Sequence, residues 1–182
     1  EQIWRQVVEL KKVKPVVVSM GNVAASGGYY ISCAANKIIA EPNTLTGSIG
    51  IFGMFPNASG LFGKLALTTD IVKTNTFSDL GDLSRPMTES EKALIQGYVE
   101  RGYQTFLSRC AEGRGMTTEA VNAIGQGRVW TGEQAKERGL VDELGGIELA
   151  ISTAAGLADL DQYSVTTVSG SKNFLDEFLE SQ

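Results

Sequence analysis

Ser26 stands in the run Ala24-Ala25-Ser26-Gly27-Gly28-Tyr29-Tyr30, directly after the apolar stretch Val16-Val17-Val18-Ser19-Met20, in a chain that contains no histidine. A serine on a strand-to-helix turn between small residues is a candidate nucleophile, held where a carbonyl carbon can reach it. Gly27 lets a substrate backbone approach, and its N–H, next to the attacking oxygen, is the natural donor to a developing oxyanion. The competing reading is a structural serine in an ordinary turn. A nucleophile also needs a base, and without histidine that base is not an imidazole of this chain.

The elements that must position Ser26 follow from hydrophobic periodicity. Residues 1–14 read as part of an amphipathic leading helix carrying Ile3, Trp4, Val7, Val8 and Leu10. Pro15–Met20 reads as a strand buried on both faces, Gly21-Asn22 as a turn, and the chain from about Ala24 as a crossover helix. Lys37–Pro42 and Thr46–Ile51 read as further strands. Strand, helix, strand alternation defines an α/β fold with a parallel sheet core and flanking helices. Pro42–Gly63 carries no charge and sets Phe52, Met54, Phe55 and Phe62 among glycines. It is expected as a loop covering the core, with the wall of a groove for apolar side chains as the second reading.

Further on, Thr69–Thr74 reads as a strand and Asn75–Pro86 as a loop. Thr88 and Glu91 form a capping box that opens a long helix, with Leu94, Tyr98, Phe106 and Leu107 expected to face the core. Shorter helices are expected from Thr117 or Thr118 to Ile124, from Thr131 to Gly139 and from Gly146 to Leu157. Residues 159–182 are expected to add a strand at Tyr163–Val168 and a helix at Asn173–Leu179. The whole, 1–182, reads as one domain and as a fragment of a longer chain.

Composition narrows the function. The chain has 182 residues, 42% hydrophobic and 20% charged, with a formal charge of −5. Its Lys and Arg are scattered, so no basic patch exists to neutralise phosphates and nucleic acid is not an expected partner. Cys33 and Cys110 lack CxxC spacing and neighbouring histidine, which argues against zinc and against a disulfide framework. They are expected as buried thiols, and neither metal nor cofactor is expected. Pro15–Asn36 is free of charge but too broken by Gly, Asn and Ser to span a membrane, and Glu1–Lys14 lacks the apolar centre of a signal peptide.

Three segments carry a resemblance: Met20–Ser32, Pro42–Gly50 in the form Pro-Asn-Thr-Leu-Thr-Gly-Ser-Ile-Gly, and Gly127-Arg128-Val129-Trp130-Thr131-Gly132. With Ala135–Gly145, they resemble the signal peptide peptidase A (protease IV) family from about Lys14 to Ala150, and most closely the C-terminal half of its long two-domain bacterial form. The resemblance implies a ClpP/crotonase-type fold and a serine endopeptidase acting through a Ser–Lys dyad on remnant signal peptides or other apolar peptides, with Ser26 as nucleophile and Gly27 as oxyanion donor. A lysine base fits the missing histidine, since a desolvated lysine loses its proton near neutrality. Short members of the family place that lysine about fifty residues after the serine. This chain has Ser78 there, so the base is expected from the missing N-terminal half, and Lys73 is the nearest candidate within the chain.

The family's upstream turn, expected to give a second oxyanion N–H, would precede residue 1. Thr46 and Ser48 are candidates for contact with substrate backbone or for positioning the base, and Ser32 is a third. The resemblance further implies a ring-forming homo-oligomer and a bacterial cytoplasmic-membrane location, with an anchor outside this chain and the catalytic domain on the outer, periplasmic side. Two other readings stay open. One is a catalytically silent assembly domain of the same fold, and the other a crotonase-like acyl-thioester enzyme.

Overall fold

The computed structural model describes residues 1–168. Helix α1, Gln2–Lys11, leads into β1, Val17–Met20, whose β-branched residues suit a strand covered on both faces. β1 pairs in parallel with β3, Lys37–Ala40, and β3 pairs in parallel with β6, Glu143–Leu144. A second small sheet takes β2, Val23–Ala25, in parallel with β4, Leu45–Gly47, and closes with antiparallel β5, Val129–Thr131. The α/β class with a parallel core and flanking helices is therefore as expected, with β5 as the one antiparallel strand among those described.

The chain steps from the first sheet to the second at Gly21-Asn22 and at Glu41–Thr44, and one side chain ties these two passages together. Buried Thr44 accepts from the Glu41 N–H (3.1 Å) and donates to the Gly21 carbonyl (2.8 Å), while the Leu45 N–H donates to Asn22 O (2.9 Å). Each satisfied buried bond contributes about 1 kcal/mol, and more is lost if a partner is left bare. The tie fixes the start of both β2 and β4, and these strands carry the site.

Helix α2, Gly27–Ser32, follows β2 directly and buries Tyr29, whose hydroxyl donates to Leu140 O (3.0 Å). After β4 comes α3, Ser59–Lys64, and then α4, Glu89–Arg114, whose Thr88–Glu91 capping box forms as expected. The second half of α4 buries Phe106, Leu107, Cys110 and Ala111 against α2 and α1, with the Phe106 and Tyr30 rings 4.9 Å apart. Gly113 allows this approach: a Cβ there would lie 2.2 Å from the Cys33 carbonyl oxygen. Helices α5, Thr118–Ile124, α6, Gly132–Glu137, and α7, Ile147–Leu157, complete the described residues.

Several expectations are corrected. Val23–Ala25 is a strand rather than the start of a helix, because it pairs with β4 and because the backbone of Ser26 is not helical. Leu94 and Tyr98 face solvent, Tyr98 being 68% exposed, because the half-buried side of that stretch of α4 is the one carrying Ile95 and Val99. Phe52 and Met54 are 88% and 83% exposed, so that part of the uncharged stretch does not cover the core, whereas Ile49 within it is buried there. Thr69–Thr74 and Tyr163–Val168 are not strands: neither finds a neighbouring strand among the described residues to take its backbone groups. Asn173–Leu179 lies outside the described residues.

Candidate active site

Ser26 follows the last residue of β2. Ala25 is in register with Gly47 of β4, and the Ser26 N–H donates to the Gly47 carbonyl at 2.9 Å, which extends the ladder one step. There the chain turns sharply. Ser26 has φ 52° and ψ −114°, a conformation glycine adopts freely and a side chain does not. Such strain costs about 1–3 kcal/mol and persists only where the surroundings dictate it. Here they do: the ladder holds one side, and on the other the Ser26 carbonyl accepts the Tyr30 N–H (2.8 Å) while Tyr29 is locked in the core.

The turn leaves Ser26 and Gly27 exposed. No side chain caps α2, so the N–H groups of its first turn have no intrahelical acceptor. A Cβ added to Gly27 would meet nothing within 4 Å, so the space beside the Ser26 hydroxyl is open to an incoming backbone. A hydroxyl on a strained turn beside unpaired N–H groups and open space is an arrangement for attack on a carbonyl, with the Gly27 N–H placed to receive the oxygen's developing charge.

The partner strand ends in a similar way. Gly47 (φ 75°) and Ser48 (φ 49°) both take positive φ, and the Ser48 N–H donates to Arg128 O at 2.8 Å, which keeps the chain against the residues that lead into β5. Ser48 is half-buried and occupies on β4 the place that Ser26 occupies on β2, one step past the paired Ala25 and Gly47. Gly47 was not singled out from the sequence, yet it supplies the acceptor for Ser26 and has no room for a side chain, since a Cβ would sit 2.8 Å from the Trp130 ring. Its only sequence signal is the Thr-Gly-Ser triplet at the end of a short apolar strand. Thr46 is corrected as a substrate contact: it is fully buried, and its hydroxyl donates to Ala24 O (2.8 Å), bracing β2 against β4. Ser32 likewise spends its hydroxyl on Gly28 O (2.6 Å).

The structure takes Lys73 to Asp79 rather than to Ser26. Its Nζ lies 3.0 Å from the Asp79 carboxylate and its side chain is 43% exposed, the reverse of the dry, unpaired setting a lysine base requires. Lys73 and then Arg85 hold the Asp79 carboxyl below the usual carboxylate range. Arg85 also binds Glu91 through both guanidinium nitrogens (2.8 and 2.6 Å), and Glu91 is buried at the head of α4. Arg85, followed by the Thr88 N–H, brings the Glu91 carboxyl down to about 2. The network anchors the loop before α4 to the helix cap. Ser78 is exposed within that loop and donates to Asn75 O (3.0 Å).

Beyond Ser48, the exposed Phe52 and Phe55 form one side of a hollow of about 590 Å³, with Met87, Ile95 and Val99 on the other. The loop borders this hollow, which fits the second of the two sequence readings, a groove wall. Among the described residues there is no grouping of His, Cys, Asp or Glu able to hold a metal ion. Nor, among them, is there a helix long and apolar enough to cross a membrane.

An α/β domain that carries an exposed serine on a strained strand-to-helix turn, with open space beside it, has the build of a serine hydrolase. Residues 8–161 match the model of peptidase family S49, and the chain belongs to that family. It is 42% identical over 168 residues to Protease 4 of Salmonella typhi, covering 92% of this chain and 27% of that protein. It is 38% identical over 159 residues to the chloroplastic serine protease SPPA of Arabidopsis thaliana, covering 87% of this chain and 24% of that protein. The chain thus spans about a quarter of the length of these relatives. Among solved structures, an enoyl-CoA hydratase/isomerase family protein from Hyphomonas neptunium superposes with a TM-score of 0.42 at 19% identity, covering 85% of this chain and 42% of that one.

Proposed function

We propose that this chain is the nucleophile-bearing domain of a serine endopeptidase that works through a Ser–Lys dyad. In this reading Ser26 Oγ attacks the carbonyl carbon of a peptide, its proton passes to a neutral lysine, and the Gly27 N–H receives the oxyanion of the tetrahedral intermediate. The lysine returns the proton to the leaving amine, and water then cleaves the acyl-enzyme. The observation that carries the reading is the Ser26 turn, strained and exposed with open space at Gly27. Lys73, engaged by Asp79, is not the base, so the base comes from outside this chain, from a homologous N-terminal half of the same protein. Ser48, beside Ser26 at the strand ends, is in place to orient that lysine or to meet substrate backbone.

The apolar hollow past Ser48 fits extended apolar peptides such as remnant signal peptides. Exposed Phe52, Met54 and Tyr98 fit association of several copies into a ring, and the family resemblance fits a domain on the outer face of the bacterial cytoplasmic membrane, anchored by a segment outside this chain. In the intact protein, Ser26→Ala is expected to abolish both peptide turnover and labelling by a fluorophosphonate, while Lys73→Met retains both. Undiminished turnover in Ser26→Ala would sink the proposal. The engagement of Lys73 by Asp79 favours one other reading, a silent assembly domain, for which the wild-type protein would show neither label nor turnover.

A further inference from the structure

Tyr103 lies on α4, half-buried against the core, and its hydroxyl bridges two elements. It donates to Asn122 Oδ1 on α5 (2.7 Å) and accepts the N–H of Gln126 (2.9 Å), in the turn between α5 and β5. Ser48 rests on that same turn. The Gly127 N–H donates to Ile49 O (2.9 Å) and the Ser48 N–H to Arg128 O (2.8 Å), so two bonds running in opposite directions zip the turn to the end of β4. We propose that Tyr103 is a positioning residue: by pinning Gln126 it fixes where the Ser48 hydroxyl stands beside Ser26. This role rests on the reading of Ser26 as nucleophile, with Ser48 as its neighbour in the site.

The turn needs holding. Gln126 has φ 59° and Ser48 φ 49°, left-handed conformations in residues other than glycine, which persist only where neighbours dictate them. The contacts leave little room for drift. A Cβ on Gly125 would lie 3.0 Å from the Tyr103 hydroxyl, and one on Gly50 would lie 2.7 Å from the Gly127 backbone. On α4, Gly102 makes space for Ile51, whose Cδ1 would be 2.5 Å from a Cβ added there. The chain leaving Ser48 is therefore bounded by α4 on one side and by the turn on the other, and Tyr103 is where these boundaries meet. Arg128 braces the turn from within, its Nε donating to Gly125 O (2.9 Å), whereas Tyr103 ties it to α4.

The bond to Asn122 commits the hydroxyl hydrogen, which leaves an oxygen lone pair for Gln126. Phenylalanine at this place keeps the ring in the core and loses the bridge alone. Because Gln126 is exposed, water takes over its N–H and the fold keeps most of its stability. Water does not restore position. A strained turn freed at one end relaxes, and the bonds to Ile49 and Ser48 move with it.

The test compares Tyr103→Phe, Ser48→Ala and the double variant in the intact protein, with peptide turnover, melting temperature and amide exchange measured on each. Tyr103→Phe is expected to speed exchange at the Ser48 and Gly127 amides and to lower kcat about tenfold, with KM and melting temperature little changed. The double variant should turn over no more slowly than Ser48→Ala, because one hydroxyl acts through the other. Exchange at these two amides as slow as in the wild type, or losses that multiply in the double variant, would overturn the proposal. Asn122→Ala removes the acceptor and leaves the Tyr103 ring, so it should speed the same two amides whether or not Tyr103→Phe folds well. Undiminished turnover in Ser26→Ala would instead break the reading of the nucleophile, and amide exchange, which needs no activity, would still decide whether Tyr103 holds Ser48.

Discussion

The strain at Ser26 can be measured by exchanging the serine for two residues that both abolish attack. Ser26→Ala removes the hydroxyl but keeps a Cβ, so the cost of φ 52° and ψ −114° stays in the folded state. Ser26→Gly removes hydroxyl and Cβ together, and the folded state recovers about 1–3 kcal/mol. Against this, glycine gives the unfolded chain more freedom, which costs about 0.5–1 kcal/mol. Neither side chain buries surface at this exposed turn, so the balance favours glycine over alanine by up to roughly 2.5 kcal/mol. For a domain of this size that raises the melting temperature by up to about 10 °C. Thermal unfolding of the wild type and both variants, with a peptidase assay on each, gives the answer. Both variants are expected to be inactive, with Ser26→Gly the more stable. If glycine is no more stable than alanine, the turn stores no strain and the reasoning from backbone to nucleophile fails.

Two further outcomes separate chemistry from packing. Gly27→Ala places a methyl group where nothing lies within 4 Å, so the melting temperature should hold or rise slightly, while turnover falls because the methyl fills the approach to Ser26; equal activity in a peptidase assay would place the substrate elsewhere. Glu91 has its carboxyl drawn down to about 2, so its contribution to stability is present above the ordinary carboxylate range and fades as pH falls from about 4.5 toward 2. Glu91→Gln should flatten the melting temperature over that window, and an unaltered slope would mean that the Arg85 pair does not couple to folding.

What could be read from the sequence is what short-range chemistry decides. The capping boxes at Thr88–Glu91 and Thr131–Gln134 form because each needs only its own side chains and backbone. Ser26 could be found because a β-branched run followed by small residues states both strand and turn. By contrast β2, β5 and β6 are three residues or fewer, too short for periodicity to register, and exist only because a partner strand lies beside them. Leu94 and Tyr98 follow helical spacing, which predicts a stripe but not what covers it. Lys73 failed as a base for a similar reason: nothing local announces that Asp79 folds back onto it, and that the same carboxylate is shared with Arg85.

The candidate site is held by backbone more than by side chains, and this accounts for its economy. The Ser26 N–H rests on Gly47 O, the Ser48 N–H on Arg128 O, and Thr46 ties β4 to Ala24 O, so Ser26 stands at the end of a three-strand ladder without charged support. A serine fixed in this way needs no oriented imidazole to define its position; it needs only a proton acceptor to arrive. In the proposed reading, that separation of duties would let a base come from another part of the protein, provided the ladder keeps its register. Gly47 constrains that register: even one methyl group there would meet Trp130 and Arg128 O, displacing the carbonyl that receives the Ser26 N–H.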